Sequence, residues 1–203
     1  MSEIRLSGGR FRGRRLRVPH GVRPTEGRVR EALFSIWQAE LPESRFLDLF
    51  AGSGAVGLEA LGRGAAAVVL VEGDPRVERV ADDNAGSLAA ARAVRGYRMR
   101  LPAGLAVLRE REAPFDLVFA DPPYGFAKLG ALLEGAAQLL AEGGSLCLEH
   151  STRDALPEPP ATLAAEGTRC YGETCLSFYR LREAAPAPAP GPYLPIKNPS
   201  SSR

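Results

Sequence analysis

From Arg45 to Glu149 the chain alternates short apolar stretches with helix-spaced ones, and this alternation restricts its fold more than any other feature. The run Ala67–Glu72 is apolar until its last residue. A strand with one wet face alternates apolar and polar residues; an unbroken apolar run belongs to a parallel strand covered on both faces. Further strands read at Phe46–Phe50, Tyr97–Leu101, the segment ending at Asp121, and Ser145–Glu149. Helices fit between them: one ending near Arg63, one opened by Asp74-Pro75 as cap and first residue, then Ala103–Arg109 and Leu129–Leu140. Leu163–Tyr171 and Thr174–Leu181 flank Gly172-Glu173 and read as an antiparallel hairpin. The expected fold is α/β, with a seven-stranded mixed sheet whose last strand is antiparallel and an N-terminal β-hairpin arm.

The first strand-to-helix turn is Asp48-Leu49-Phe50-Ala51-Gly52-Ser53-Gly54-Ala55-Val56-Gly57. Gly52 and Gly54 allow close approach of a ligand, and the helix N-terminus offers unpaired N–H groups. Glu72 ends the second strand, where a carboxylate can accept the hydroxyls of an adenosine ribose. The glycines also satisfy G-x-G-x-x-G, so a dinucleotide site has to be weighed. Asp48, placed to orient the loop and a cationic amino-acid moiety, and the C-terminal antiparallel hairpin favour S-adenosylmethionine over a nicotinamide. Asp48, Phe50, Gly52, Ser53, Gly54, Glu72 and Asp121 are expected cofactor contacts. Open α/β sheets bind ligands at the edge where such strand ends meet.

The fourth strand ends in Asp121-Pro122-Pro123-Tyr124. The two prolines donate no backbone hydrogen bond and stiffen the loop, so their carbonyls point beyond the strand. Asp and Pro are also ordinary turn formers. An acceptor carboxylate, a rigid carbonyl and a flat ring nevertheless suit gripping the exocyclic amine of a planar base. Asp121, Pro122 and Tyr124 are therefore the expected catalytic group.

The net charge of +2 conceals an asymmetry. Residues 1–30 hold nine arginines against Glu3 and Glu26, a local excess of seven positive charges, which leaves the rest five negative. Such segregation predicts a polyanion held at the N-terminal end. Arginine binds phosphate bidentately and stacks on bases. Arg10, Arg12, Arg14, Arg15, Arg23, Thr25 and Arg28 are the expected nucleic-acid contacts. Thr25 also reads as the N-cap of a helix through Val29, Leu33, Ile36 and Trp37. The expected units are the arm at 1–24, the main domain at 25–183 and a disordered Pro/Ala-rich tail at 184–203. No apolar run approaches the ~20 residues of a membrane span, and the Arg-rich start lacks the apolar core of a secretion signal. Cys147, Cys170 and Cys175 lack zinc-ligand spacing and read as reduced cytoplasmic thiols, with no metal expected.

Together these segments resemble the RsmD family of bacterial 16S rRNA guanine-N2 methyltransferases. The resemblance spans about Arg5 to Arg182. It rests on Ser7–Arg14, Arg23-Pro24-Thr25 with Arg28–Phe34, Asp48–Gly57, Val71-Glu72, Asp121–Tyr124, Tyr171–Thr174 and Phe178-Tyr179-Arg180. Asp121–Tyr124 is shared with adenine-N6 enzymes, whereas the Arg-Pro-Thr segment selects this family. One departure stands at Leu101-Pro102-Ala103, where relatives place Asp or Asn near the adenine; the resemblance implies that Pro102 and Ala103 contact the cofactor there through backbone and apolar atoms. The resemblance implies a Rossmann-like class I methyltransferase fold and methyl transfer from S-adenosylmethionine to N2 of guanine 966. It further implies 16S rRNA in small-subunit particles as partner and a monomeric, cytoplasmic enzyme without membrane or metal. Two other readings remain, an adenine-N6 methyltransferase of DNA or RNA and a non-catalytic RNA-binding module. Among individual residues, Ser53 can be merely small, Asp74 reads as a helix cap, and Asn84 and Trp37 read as structural. His150 has no assigned role.

Overall fold

The computed structural model describes residues 2–22 and 25–183; the predicted tail and Arg23 lie outside them. Strands β1 (Ser2–Arg5) and β2 (Arg15–Val18) form a hairpin around a 3-10 turn at Gly9–Phe11. After α1 (Gly27–Ile36), the main sheet is built from β3 (Arg45–Leu49), β4 (Ala67–Glu72), β5 (Val94–Arg98), β6 (Phe115–Ala120), β7 (Leu140–Ser151), β8 (Leu163–Tyr171) and β9 (Thr174–Leu181). Its order is β5-β4-β3-β6-β7-β9-β8, with only β9 running against its neighbours. Helices α2 (Ala55–Gly62), α3 (Pro75–Ser87), α4 (Leu105–Arg111) and α5 (Leu129–Ala137) complete the fold. Among the described residues no helix is long and apolar enough to cross a membrane.

Burial on both faces explains the unbroken apolar strands. Phe46, Val68, Leu70, Leu117 and Phe119 point to one side, where Leu33 and Phe34 of α1, Leu58 of α2 and Ala81 of α3 cover them. Leu47, Leu49, Val69, Val71 and Val118 point to the other, against Leu105 and Leu108 of α4 and Leu132 and Leu133 of α5. Trp37 is core, edge-on to Phe46 and Phe178, and its Nε1–H donates to Ser145 Oγ at 3.1 Å. At Gly57 an added Cβ would lie 2.4 Å from Leu70, so only glycine lets α2 pack this close to β4.

The structure corrects two sequence-based expectations here. Thr25 does not cap α1, which starts at Gly27 with Glu26 in the cap position. Instead the Thr25 carbonyl accepts from buried Arg30 at 2.7 Å, while its hydroxyl lies 3.4 Å from Asp121 Oδ2. Cys170 and Cys175 are not free thiols but a disulfide. The β8–β9 register sets them directly opposite each other, a pairing that depends on where the hairpin turns. Cys147 alone is a free thiol, and burial pushes its pKa up.

The arm is part of the core rather than an appendage, because Leu6, Phe11, Leu16 and Val18 are buried and all but Val18 belong to the α1 side cluster. Glu59 of α2, 0% exposed, anchors it. It accepts from the Ser7 N–H (3.1 Å) and from Arg30 Nε (3.2 Å) and Arg63 Nη2 (2.7 Å). Glu59→Ala would leave Arg30 buried with an uncompensated charge, so we expect a loss of about 3–5 kcal/mol in denaturant unfolding. A loss below about 1 kcal/mol would show that the network carries little weight.

Candidate functional site

The chain leaves β3 towards β4 and β5, then returns to lay β6 on the other side of β3. That reversal opens a crevice at the strand ends, the usual ligand position in such sheets. Leu49 pairs with Ala120, so the glycine loop after β3 and the Asp121 loop after β6 leave the sheet side by side. A cavity of about 480 Å³ lies there. Its lining includes Asp48, Phe50, Gly52, Ser53 and Glu72 on one side and Asp121, Pro122, Pro123 and Tyr124 on the other.

The loop conformation explains its composition. Gly52 and Gly54 have φ of 56° and 76°, in the left-handed region that favours glycine. Phe50 also sits there, at φ 65°, a costly state for a bulky side chain and one found at ligand loops. Its ring is held edge-on to Phe126 at 5.3 Å. Glu72 Oε2 accepts from the Gly52 N–H at 3.0 Å; Oε1 accepts from those of Gly73 and Asp74 at 2.7 and 2.9 Å. A carboxylate has about four acceptor positions. Three are taken by backbone, which leaves one open without rearrangement.

Asp48 lies beneath the loop, 1% exposed, and accepts from the Gly57 N–H at 2.9 Å. Burial pushes its carboxyl up to about 8; the Gly57 hydrogen bond opposes this, and the charges of Asp121 and Glu72 add to the rise. The folded protein therefore binds a proton that the unfolded chain has released above its ordinary value near 3.8. Stability from this group is complete below that value and is lost as pH rises to about 8. Between pH 5 and 8 we expect the ligand-free protein to lose about 1 kcal/mol per pH unit from this source. Asp48→Asn should flatten the slope in urea melts; an equal slope in both proteins would exclude Asp48 as its origin.

This set fits a cationic adenosyl ligand: a glycine loop that allows close approach, and the carboxyl groups of Asp48, Glu72 and Asp121 around one crevice. Among the described residues no group of three His, Cys, Asp or Glu is placed to hold a metal ion. Pro102 and Ala103 do not line the cavity, and nor do Arg10, Arg12, Arg14, Arg15 and Arg28, which stand exposed. Thr25 does line it. Asp74 is a cap as well as a wall, accepting from the Arg76 N–H at 2.8 Å. The sequence reading missed Val22, Glu149 and Thr174 in the lining. Glu149 follows the strand-end pattern of Glu72 and Asp121 and was legible. Thr174 comes from an antiparallel pairing with Ser151, which no local signal announces.

The family model described as "Conserved hypothetical protein 95" matches residues 4–180. Ribosomal RNA small subunit methyltransferase D of Escherichia coli K12 is 36% identical over 190 residues, 90% of this chain and 91% of that protein. The chain belongs to this family. Among solved structures, Escherichia coli yhhF superposes with a TM-score of 0.79 at 31% identity, covering 90% of this chain and all of that one. A hypothetical protein of Thermus thermophilus gives 0.73 at 35%, over 86% and 98%. An RNA methyltransferase of Salinibacter ruber, solved with S-adenosyl-L-homocysteine, shares the fold at 18% identity and a TM-score of 0.60, over 81% and 97%. The seven-stranded Rossmann-like sheet is thus a methyltransferase fold in this family, with an added N-terminal hairpin.

Proposed function

We propose that this chain methylates the exocyclic N2 amine of a guanine in 16S rRNA, using S-adenosylmethionine. The observation that carries this is the opposition, across one crevice, of the glycine loop with Glu72 and the Asp121–Tyr124 loop. Membership in the methyltransferase D family supports ribosomal RNA as the substrate class. The arm at residues 1–24 is the phosphate-binding surface, and its described arginines are exposed. The enzyme works in the cytoplasm as a monomer on small-subunit particles.

The guanine amine is a weak nucleophile because its lone pair is delocalised into the ring. Asp121 and the Pro122 carbonyl accept its two N–H bonds and draw the nitrogen towards tetrahedral geometry. Tyr124, 63% exposed, offers a face on which a flipped base can stack. S-adenosylmethionine supplies an electrophilic methyl on a sulfonium. When bound, the cofactor would give up its methyl and keep the electron pair of the broken C–S bond, and the nitrogen would shed its proton to Asp121 or to water. Holding the nitrogen in line with the methyl supplies much of the acceleration.

The test offers labelled cofactor to the enzyme with naked 16S rRNA, with assembled small subunits and with DNA, followed by nuclease digestion. We expect label in N2-methylguanosine from RNA. Label in N6-methyladenosine, or in DNA alone, would overturn the proposal, and so would no label in any nucleic acid.

A further inference from the structure

A second carboxylate stands beside Asp121 and belongs to neither the cofactor loop nor the proline loop. Strands β6 and β7 are parallel neighbours with Ala120 opposite Leu148, so Asp121 and Glu149 each follow the same rung of the sheet. Ala120 and Leu148 both point to the α5 side, which turns both acids towards the opposite face, that of Phe119 and Cys147. Their charges both reach the Cys147 thiol, second to burial in raising its pKa. Glu149 is only 8% exposed, yet it lines the main cavity. It also lines a smaller one of about 210 Å³ with Pro122 and Pro123, which Glu72 does not reach. Glu149 therefore sits on the Pro122–Tyr124 side of the crevice, away from the ribose acceptor.

We propose that Glu149 selects the base by accepting the N1–H of guanine beside the amine held by Asp121 and Pro122. This rests on the guanine-N2 reading above. The two acids match one edge of one base. Guanine presents adjacent donors, N1–H and the N2 amine, to the acceptor oxygens of the two carboxyl groups. Adenine and cytosine place a bare ring nitrogen beside their amine, and its lone pair would face the carboxylate. A site built to accept a particular N–H rejects analogues lacking it, because its buried acceptor is left unpaired. Shared use of the Asp-Pro-Pro-Tyr loop by adenine and guanine enzymes then poses no difficulty, since that loop grips any amine and Glu149 reads the neighbouring atom.

The test replaces the target guanine by 2-aminopurine in ligated 16S rRNA assembled into small subunits. That base keeps the amine but carries no proton on N1. We expect wild-type kcat/KM to favour guanine by about 10²-fold, the usual cost of leaving a buried acceptor unpaired, and E149Q, whose amide can donate or accept, to reduce the preference at least tenfold. E149D should retain a preference. The 6-oxo group also missing from 2-aminopurine affects both enzymes and cancels in the ratio of their ratios. Cofactor affinity should be unchanged in all variants. An equal preference in wild type and E149Q would overturn the role of Glu149 while leaving the guanine reading intact. Should E149Q fail to fold, a wild-type preference near one overturns it equally. Wild-type label in any nucleoside other than N2-methylguanosine overturns the reading beneath it as well.

Discussion

Asp121→Ala should turn over about 10²–10³-fold more slowly than wild type at saturating cofactor, while binding the cofactor nearly as well. Asp121 starts the loop proposed to grip the base, one residue past β6, and its N–H donates to the Leu49 carbonyl at 3.3 Å. Its backbone is thus fixed by the sheet, and truncating the side chain should not disturb the loop. What disappears is an acceptor that matters most as the amine becomes tetrahedral. Asp121→Asn, which keeps one acceptor oxygen, should fall between the two. Single-turnover rates and a cofactor titration separate the effects. A rate within tenfold of wild type in Asp121→Ala would remove this residue from the chemistry.

The second large effect concerns the arginine arm, and the structure dictates how to measure it. Deleting residues 1–22 would strip Leu6, Phe11, Leu16 and Val18 from the core, so loss of activity would report unfolding. Substitution of exposed arginines avoids this. Arg10 and Arg12 replaced together by alanine should cost at most about 1 kcal/mol of stability, from the Arg10 guanidinium 4.8 Å over the Phe11 ring, and weaken RNA binding at least tenfold. Each lost phosphate contact should also lower the slope of log affinity against log salt by about 0.7–0.9. Arg14 and Arg15 are less clean, since Arg14 donates to the Ser87 carbonyl at 2.7 Å and Arg15 pairs with Glu3 at 3.1 Å. An unchanged salt slope in the Arg10/Arg12 variant would move the RNA surface elsewhere.

Sequence made the strand–helix alternation plain because burial on both faces leaves a signature that single residues cannot hide. Ala67–Glu72 and the hairpin strands Leu163–Tyr171 and Thr174–Leu181 emerge with the bounds read from the sequence. The edge strand did not: β5 is Val94–Arg98, earlier than Tyr97–Leu101, because Arg95, Gly96 and Arg98 are exposed and carry no apolar pattern. β7 runs Leu140–Ser151 rather than Ser145–Glu149; its irregular start opposite Phe115 includes Gly143 with positive φ, which reads locally as a turn. In the site, residues at strand ends were legible because chain direction fixes which sheet edge they share. The place of Pro102 and Ala103, the three backbone donors on the Glu72 carboxylate and the pairing of Cys170 with Cys175 were not. Each depends on where loops settle against distant backbone.

Asn84, 3% exposed on α3, joins the arm to the glycine loop through one side chain. Its Oδ1 accepts from the Arg17 N–H at 2.9 Å, and its Nδ2 donates to the carbonyls of Arg17 and Ser53, both at 2.9 Å. Strand β2 and the glycine turn after β3 are thus two hydrogen bonds apart through one rigid amide. Linkage makes any such connection reciprocal: whatever free energy phosphate on the arm lends to one placement of Ser53, a ligand holding Ser53 there returns to phosphate binding. Any coupling carried by Asn84 would therefore have the same size whichever ligand arrived first.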